Sequence, residues 1–111
     1  MNANETSRPL YRVDKFIVPA QGRDEFLDKV ARTHAVLRNQ EGFVRDYILE
    51  QQSGPGEFNM VTFVEWTGQD AIERASAAVA KLHAEIGFDR REMMTRLGIR
   101  ADIANYARLE I

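Results

Sequence analysis

Between Leu10 and Val18 (LYRVDKFIV) β-branched and aromatic residues alternate with charged ones at a period near two, which predicts a strand. Pro19 and Gly22 end it, and the acidic pair Asp24 and Glu25 opens a helix where negative charge suits the dipole. Phe26, Leu27, Val30, His34 and Leu37 then recur at three- and four-residue steps, the stripe of one helical face, until Gly42. Two further alternating runs follow, Phe43–Gln51 and Phe58–Trp66, with Ser53-Gly54-Pro55-Gly56 as a loop between them. Those two strands are expected to form a hairpin. Thr67 and Asp70 have capping-box spacing ahead of a second helix, whose apolar face carries Ile72, Ala75, Val79, Leu82 and Ile86. Gly87 breaks that helix. Asp89 with Glu92 opens a short third one over about Arg90–Leu97, which Gly98 closes. Alternation returns at Ile103–Ile111 as the last strand.

The order strand, helix, strand, strand, helix, strand is the β-α-β-β-α-β, ferredoxin-like plan, an α+β fold with helices on one face of an antiparallel sheet. The other face then faces water unless something covers it. Here both faces are apolar. In the third strand Phe58, Met60, Val64 and Trp66 point one way and Val61 and Phe63 the other. In the first strand Tyr11, Val13 and Ile17 oppose Phe16 and Val18. A second sheet is the expected cover, most economically from an identical chain, so a homodimer is expected.

Length and charge narrow the classes. The 111 residues fit one domain over residues 10–111, with residues 1–9 as a polar tail. A net charge of −2, with scattered arginines, argues against nucleic acid as a partner. No cysteine is present, which excludes thiolate metal sites and thiol nucleophiles. No segment has the length of a membrane span, so no membrane partner is expected, and the expected location is cytoplasmic.

The runs VDKFIVPAQGRDEFL, HAVLRNQEGFVRDYILEQ and FNMVTFVEWTGQDAIERA resemble the antibiotic biosynthesis monooxygenase (ABM) superfamily of dimeric α/β barrels, over nearly the whole chain. The marks are Pro-Ala after the first strand, Gly-Phe opening the second, and a Trp closing the third. The resemblance implies a pocket between helices and sheet for a small apolar or aromatic molecule. It also implies one of several chemistries: cofactor-free oxygenation of polyketide- or quinol-like rings, quinol oxidation, or haem degradation. The haem-degrading branch carries an Asn on the first strand, which is missing here, and a His at a set distance from the Trp. The only His after Trp66 is His83, seventeen residues on, so haem degradation is not expected. The polyketide branch uses Asn, Trp, Tyr and Arg; Asn59 and Trp66 match it in part, and the Tyr just beyond the Trp is missing.

His34 lies on the apolar stripe of the first helix, as a base or as a core histidine. His83 sits about sixty degrees from the centre of the second helix's stripe, lining the pocket or its rim. Two histidines without a carboxylate at ligand spacing make a poor metal site, so no metal is expected. Trp66 is either a core aromatic or a flank for a bound ring. Asn59 is either a structural bridge or an anion donor to substrate. Tyr47 and Tyr106 are placed on strands within reach of a pocket, with their face undecided. No nucleotide-binding, paired-carboxylate or nucleophile-elbow signature is present. That pattern suits a cofactor-independent monooxygenase whose substrate supplies the reactivity. The alternatives are a non-catalytic ligand-binding dimer, or an isomerase or cyclase using proton transfer alone.

Overall fold

The computed structural model describes residues 8–111. Strands β1 (Leu10–Ile17), β2 (Phe43–Glu50), β3 (Met60–Trp66) and β4 (Arg100–Tyr106) form one antiparallel sheet in the order β2-β3-β1-β4. Helices α1 (Arg23–Leu37), α2 (Gln69–Glu85) and α3 (Arg90–Leu97) complete the expected ferredoxin-like α+β fold. The expected tail falls largely on residues 1–7, which lie outside the described residues. Among those described, no helix is long and apolar enough to cross a membrane.

Alternation decides the faces. In β3, Met60, Thr62, Val64 and Trp66 are buried, while the residues between them are half-buried. Two buried clusters hold the helices down. Phe16, Val18, Phe26, Met60, Met93 and Ile99 form one under α1 and α3, and Val64, Trp66, Ala71, Ile72 and Ala75 form the other under α2. Burial of such side chains contributes roughly 1.5–3 kcal/mol each.

Helix boundaries follow from local chemistry, with two departures. Asp89 caps α3 as expected, its Oδ1 accepting from Glu92 N at 3.0 Å, and Gly98 closes that helix at φ 73°. Thr67, by contrast, caps nothing. The residue before α2 is Gly68, in extended backbone and without a side-chain cap. Thr67 N instead donates to Gly42 O at 2.9 Å, which ties the start of β2 to the end of β3. The second departure is β4, which begins at Arg100 and ends at Tyr106, not at Ile111. Its last paired residue faces Tyr11, close to the start of β1, and the next residues out include Pro9, which has no N–H for the ladder. The alternation beyond Tyr106 therefore has no partner to pair with.

Candidate active site

A cavity of about 350 Å³ lies between the helices and the sheet, at the junction of the two core clusters. That volume is in the range of small-molecule sites, roughly 300–1,000 Å³. Its walls are largely apolar: Phe16, Phe26, Val64, Trp66, Ile72 and Met93 all contribute. The stripe on α1 supplies one wall because 26, 30, 33, 34 and 37 share a helical face.

His34 is at the centre of that stripe and is buried, 5% exposed. Its Nδ1 lies 2.7 Å from Asp46 Oδ2. An ionised carboxylate only accepts, so Nδ1 donates to it, and the ring it orients lines the cavity, with Nε2 as the other ring nitrogen. Arg38 holds the same carboxylate, with Nε at 3.0 Å from Oδ2 and 3.2 Å from Oδ1. Burial alone would raise the Asp46 pKa. The hydrogen bonds from Arg38 and His34 outweigh it and hold the carboxyl below its ordinary range. The dyad is thus an imidazole oriented by a fixed negative charge.

A bulge in β2 makes the dyad possible. Phe43 pairs with Trp66 and Arg45 with Glu65, so Val44 is an extra residue in the strand. Strict alternation from the inward Phe43 would turn Arg45 and Tyr47 toward the helices and Asp46 away. The bulge reverses this, and Asp46 sits opposite Val64 on the helix side.

The remaining candidates separate into three groups. Trp66 is buried at 2% exposure and lines the cavity, edge-on to Phe43 at a centroid distance of 5.8 Å. His83 also lines the cavity, near its mouth, 4.8 Å from the Phe88 ring. Its pKa is lowered, first by burial and then by the nearby Arg90 charge, so the ring is neutral at pH 7. Asn59 does not line the cavity. Its Oδ1 accepts from Val18 N and its Nδ2 donates to Val18 O, both at 2.8 Å, so the amide bridges the hairpin to the end of β1. Tyr47 and Tyr106 lie on the helix-free face, 52% and 44% exposed. There Tyr47, Phe63 and Tyr11 stack as a row across three strands, at 5.9 and 5.5 Å.

Asp46, which stands behind His34 without lining the cavity, was not foreseen from the sequence, and neither were Arg12 and Asp14 on the floor, joined at 2.8 Å between Nε and Oδ1. Their i, i+2 spacing on a strand puts both on one face, a signal the sequence does contain. Among the described residues no group of three His, Cys, Asp or Glu side chains is placed to hold a metal ion.

The family model of antibiotic biosynthesis monooxygenase matches residues 9–85. Among solved structures, the chain is similar to SnoaB, a cofactor-independent oxygenase from Streptomyces nogalater, at 25% identity and a TM-score of 0.63, over 94% of this chain and 96% of that one. It is also similar in fold to a dabb family protein with a ferredoxin-like fold from Mesorhizobium loti, at 15% identity and a TM-score of 0.64, covering 92% and 98% of the two chains. A third fold likeness is to an MhuD mutant with two manganese protoporphyrin IX molecules bound per active site, at 16% identity and a TM-score of 0.68, covering 92% and 97%. No curated protein matches the chain.

Proposed function

The chain belongs to the antibiotic biosynthesis monooxygenase family, and we propose that it is a cofactor-independent monooxygenase acting on a small aromatic, polyketide- or quinol-like substrate. The observation that carries this reading is the His34–Asp46 pair at 2.7 Å, set against an apolar cavity of about 350 Å³. An apolar cavity takes a ring system, and an imidazole that lines it takes a proton. Likeness to a cofactor-independent oxygenase at 25% identity supports the same chemistry.

In the proposed reaction His34 Nε2 removes a proton from an acidic ring C–H, flanked by carbonyl or phenolic conjugation. The carbanion passes one electron to dioxygen, and the radical pair joins as a peroxide anion. The imidazolium returns its proton, and the hydroperoxide loses water to leave a carbonyl. Substrate carbon supplies the electrons, so CH₂ and O₂ become C=O and H₂O. Trp66 flanks the bound ring, and Asp46 stabilises the imidazolium that forms. His83 is placed at the mouth and serves binding.

We also propose that the functional unit is a homodimer joined through the helix-free sheet face. The aromatic row of Tyr47, Phe63 and Tyr11 supports this, as do the half-exposed Leu49 and Tyr106 beside it. Tyr47 and Tyr106 then belong to the interface.

The test is dioxygen uptake with a panel of anthrones and hydroquinones. Stoichiometric uptake with quinone formation, above the buffer rate and unaffected by chelators, is expected. Binding without uptake across the panel would favour a ligand-binding or proton-transfer role instead.

A further inference from the structure

The cavity's charge is at odds with the chain's. The protein carries a formal net charge of −2, yet among the described residues the charged side chains lining the cavity are Arg12, Lys29 and Arg90 against the single carboxylate of Asp14. Asp14 is already joined to Arg12 at 2.8 Å on the floor, which leaves Lys29 and Arg90 without a carboxylate of the lining to pair with. Both reach solvent at the mouth, Lys29 against the Phe88 ring and Arg90 two residues beyond Phe88 in the chain. Lys29 Nζ on α1 lies 5.3 Å from the Phe88 centroid, and His83 at the end of α2 meets the same ring at 4.8 Å. Arg90, the first residue of α3, is close enough for its charge to act on His83. Lys29 has a long contact to Asp28 at 3.9 Å and also acts on Glu25, a carboxylate that Arg96 already holds, and its side chain is 26% exposed. No carboxylate lies within 4.0 Å of Arg90 among the described residues.

Three elements therefore converge on one spot and each brings a nitrogen: an ammonium, a guanidinium and a neutral imidazole. Like charges held together at the rim of a low-dielectric cavity destabilise one another unless an anion sits between them. Resting on the aromatic-substrate reading above, we infer that the ligand is an aromatic carrying an anionic substituent, a carboxylate, whose charge is held at the mouth by Lys29 and Arg90 with His83 beside them. The ring then extends inward past Phe88 toward Trp66 and His34, the reacting carbon deep in the cavity and the charge at the surface. Charge at the rim also steers such a ligand to the mouth, through which the ring enters ahead of the carboxylate. Arg90 can grip a carboxylate with two parallel N–H donors, whereas Lys29 acts as a point charge.

A pair of probes differing only in charge tests this: anthraquinone-2-carboxylate and anthraquinone-2-carboxamide, titrated against the fluorescence of Trp66, the only tryptophan in the chain. The acid is expected to bind about tenfold or more tightly than the amide at low salt, an advantage that shrinks as ionic strength rises. In the double variant Lys29→Gln/Arg90→Gln the advantage of acid over amide should fall to about twofold or less. Because Lys29 is partly buried, a thermal melt establishes that the variant is folded, and the salt series on the unaltered protein stands without it. Equal binding of acid and amide would overturn the anion assignment while leaving the aromatic cavity intact. Failure of both probes to quench Trp66 would overturn the aromatic reading as well. An acid preference that persists in the double variant would move the anion away from the mouth and refute the assignment to Lys29 and Arg90.

Discussion

Replacing Asp46 with Asn keeps the shape of the side chain and removes its charge, and the consequences can be worked through atom by atom. In the native protein one carboxylate accepts from His34 Nδ1 at 2.7 Å and from Arg38 Nε at 3.0 Å. The side chains of His34 and Asp46 are 6% and 10% exposed, whereas Arg38 is half in water. Most of the loss therefore belongs to the histidine bond, because exposed ion pairs contribute little. A buried hydrogen bond to a charged group contributes about 1.5–3 kcal/mol, and the new amide leaves an N–H donor facing donors. We expect a net cost of about 2–3 kcal/mol, or a fall in melting temperature of about 10 °C or more for a chain of this size. The Asp46 carboxyl is held below its ordinary value in the folded state. Its stabilisation is therefore complete above the unfolded value of about 4 and is lost as pH falls through the lower folded value. The gap between the two proteins should therefore close as pH falls below about 4. Turnover should fall by about 10²-fold or more with KM little changed, since the amide no longer fixes the tautomer that leaves Nε2 free. Melts against pH, with steady-state oxygen uptake on the same samples, make the comparison. An Asn variant that melts within about 2 °C of the parent and turns over normally would refute the dyad.

Gly42→Ala should destabilise by about 2–4 kcal/mol in thermal or denaturant unfolding, because φ there is 92° and the added methyl would sit 2.4 Å from Ala71 Cβ. Asn59→Ala should cost about 1–3 kcal/mol through the two lost bonds to Val18, yet leave turnover in the remaining folded protein within about threefold; a selective loss of activity at unchanged stability would restore Asn59 to the chemistry. Light scattering at micromolar protein should give a dimer of the 12.7 kDa chain, and Phe63→Glu should yield monomer or aggregate. A folded, monodisperse monomer from the unaltered protein would contradict the proposed assembly.

Much of the architecture was legible in residue order, and the parts that were not have identifiable causes. The helix stripe through Val30, His34 and Leu37 is set by backbone period alone, so the cavity wall it forms could be read directly. The partner of His34 could not. Asp46 faces the helices only because Val44 is inserted as a bulge, and a single unpaired residue inverts every later side chain in the strand. The same inversion moves Tyr47 from a candidate wall of the cavity to the aromatic row on the far face. Asn59 is a different case. Its position next to β3 suggested either a bridge or a donor, and only the turn of the chain at Val18 brings two backbone groups within 2.8 Å of its amide. The end of β4 was misplaced because alternation persists past the point where β1 stops offering partners. Pattern reports what a segment can pair with, and the neighbouring strand decides how far it does.

The central claim is that His34 removes a carbon-bound proton before oxygen takes part, and it can be tested with oxygen absent. Under anaerobic conditions in D₂O, the C10 protons of 1,8-dihydroxyanthrone should exchange with solvent faster in the presence of the protein than in buffer, as followed by NMR. His34→Gln should lose about 10²-fold or more of that catalysed exchange. Oxygen uptake by the native protein without any catalysed exchange, or exchange by His34→Gln at the native rate, would contradict the assignment of His34 as the base.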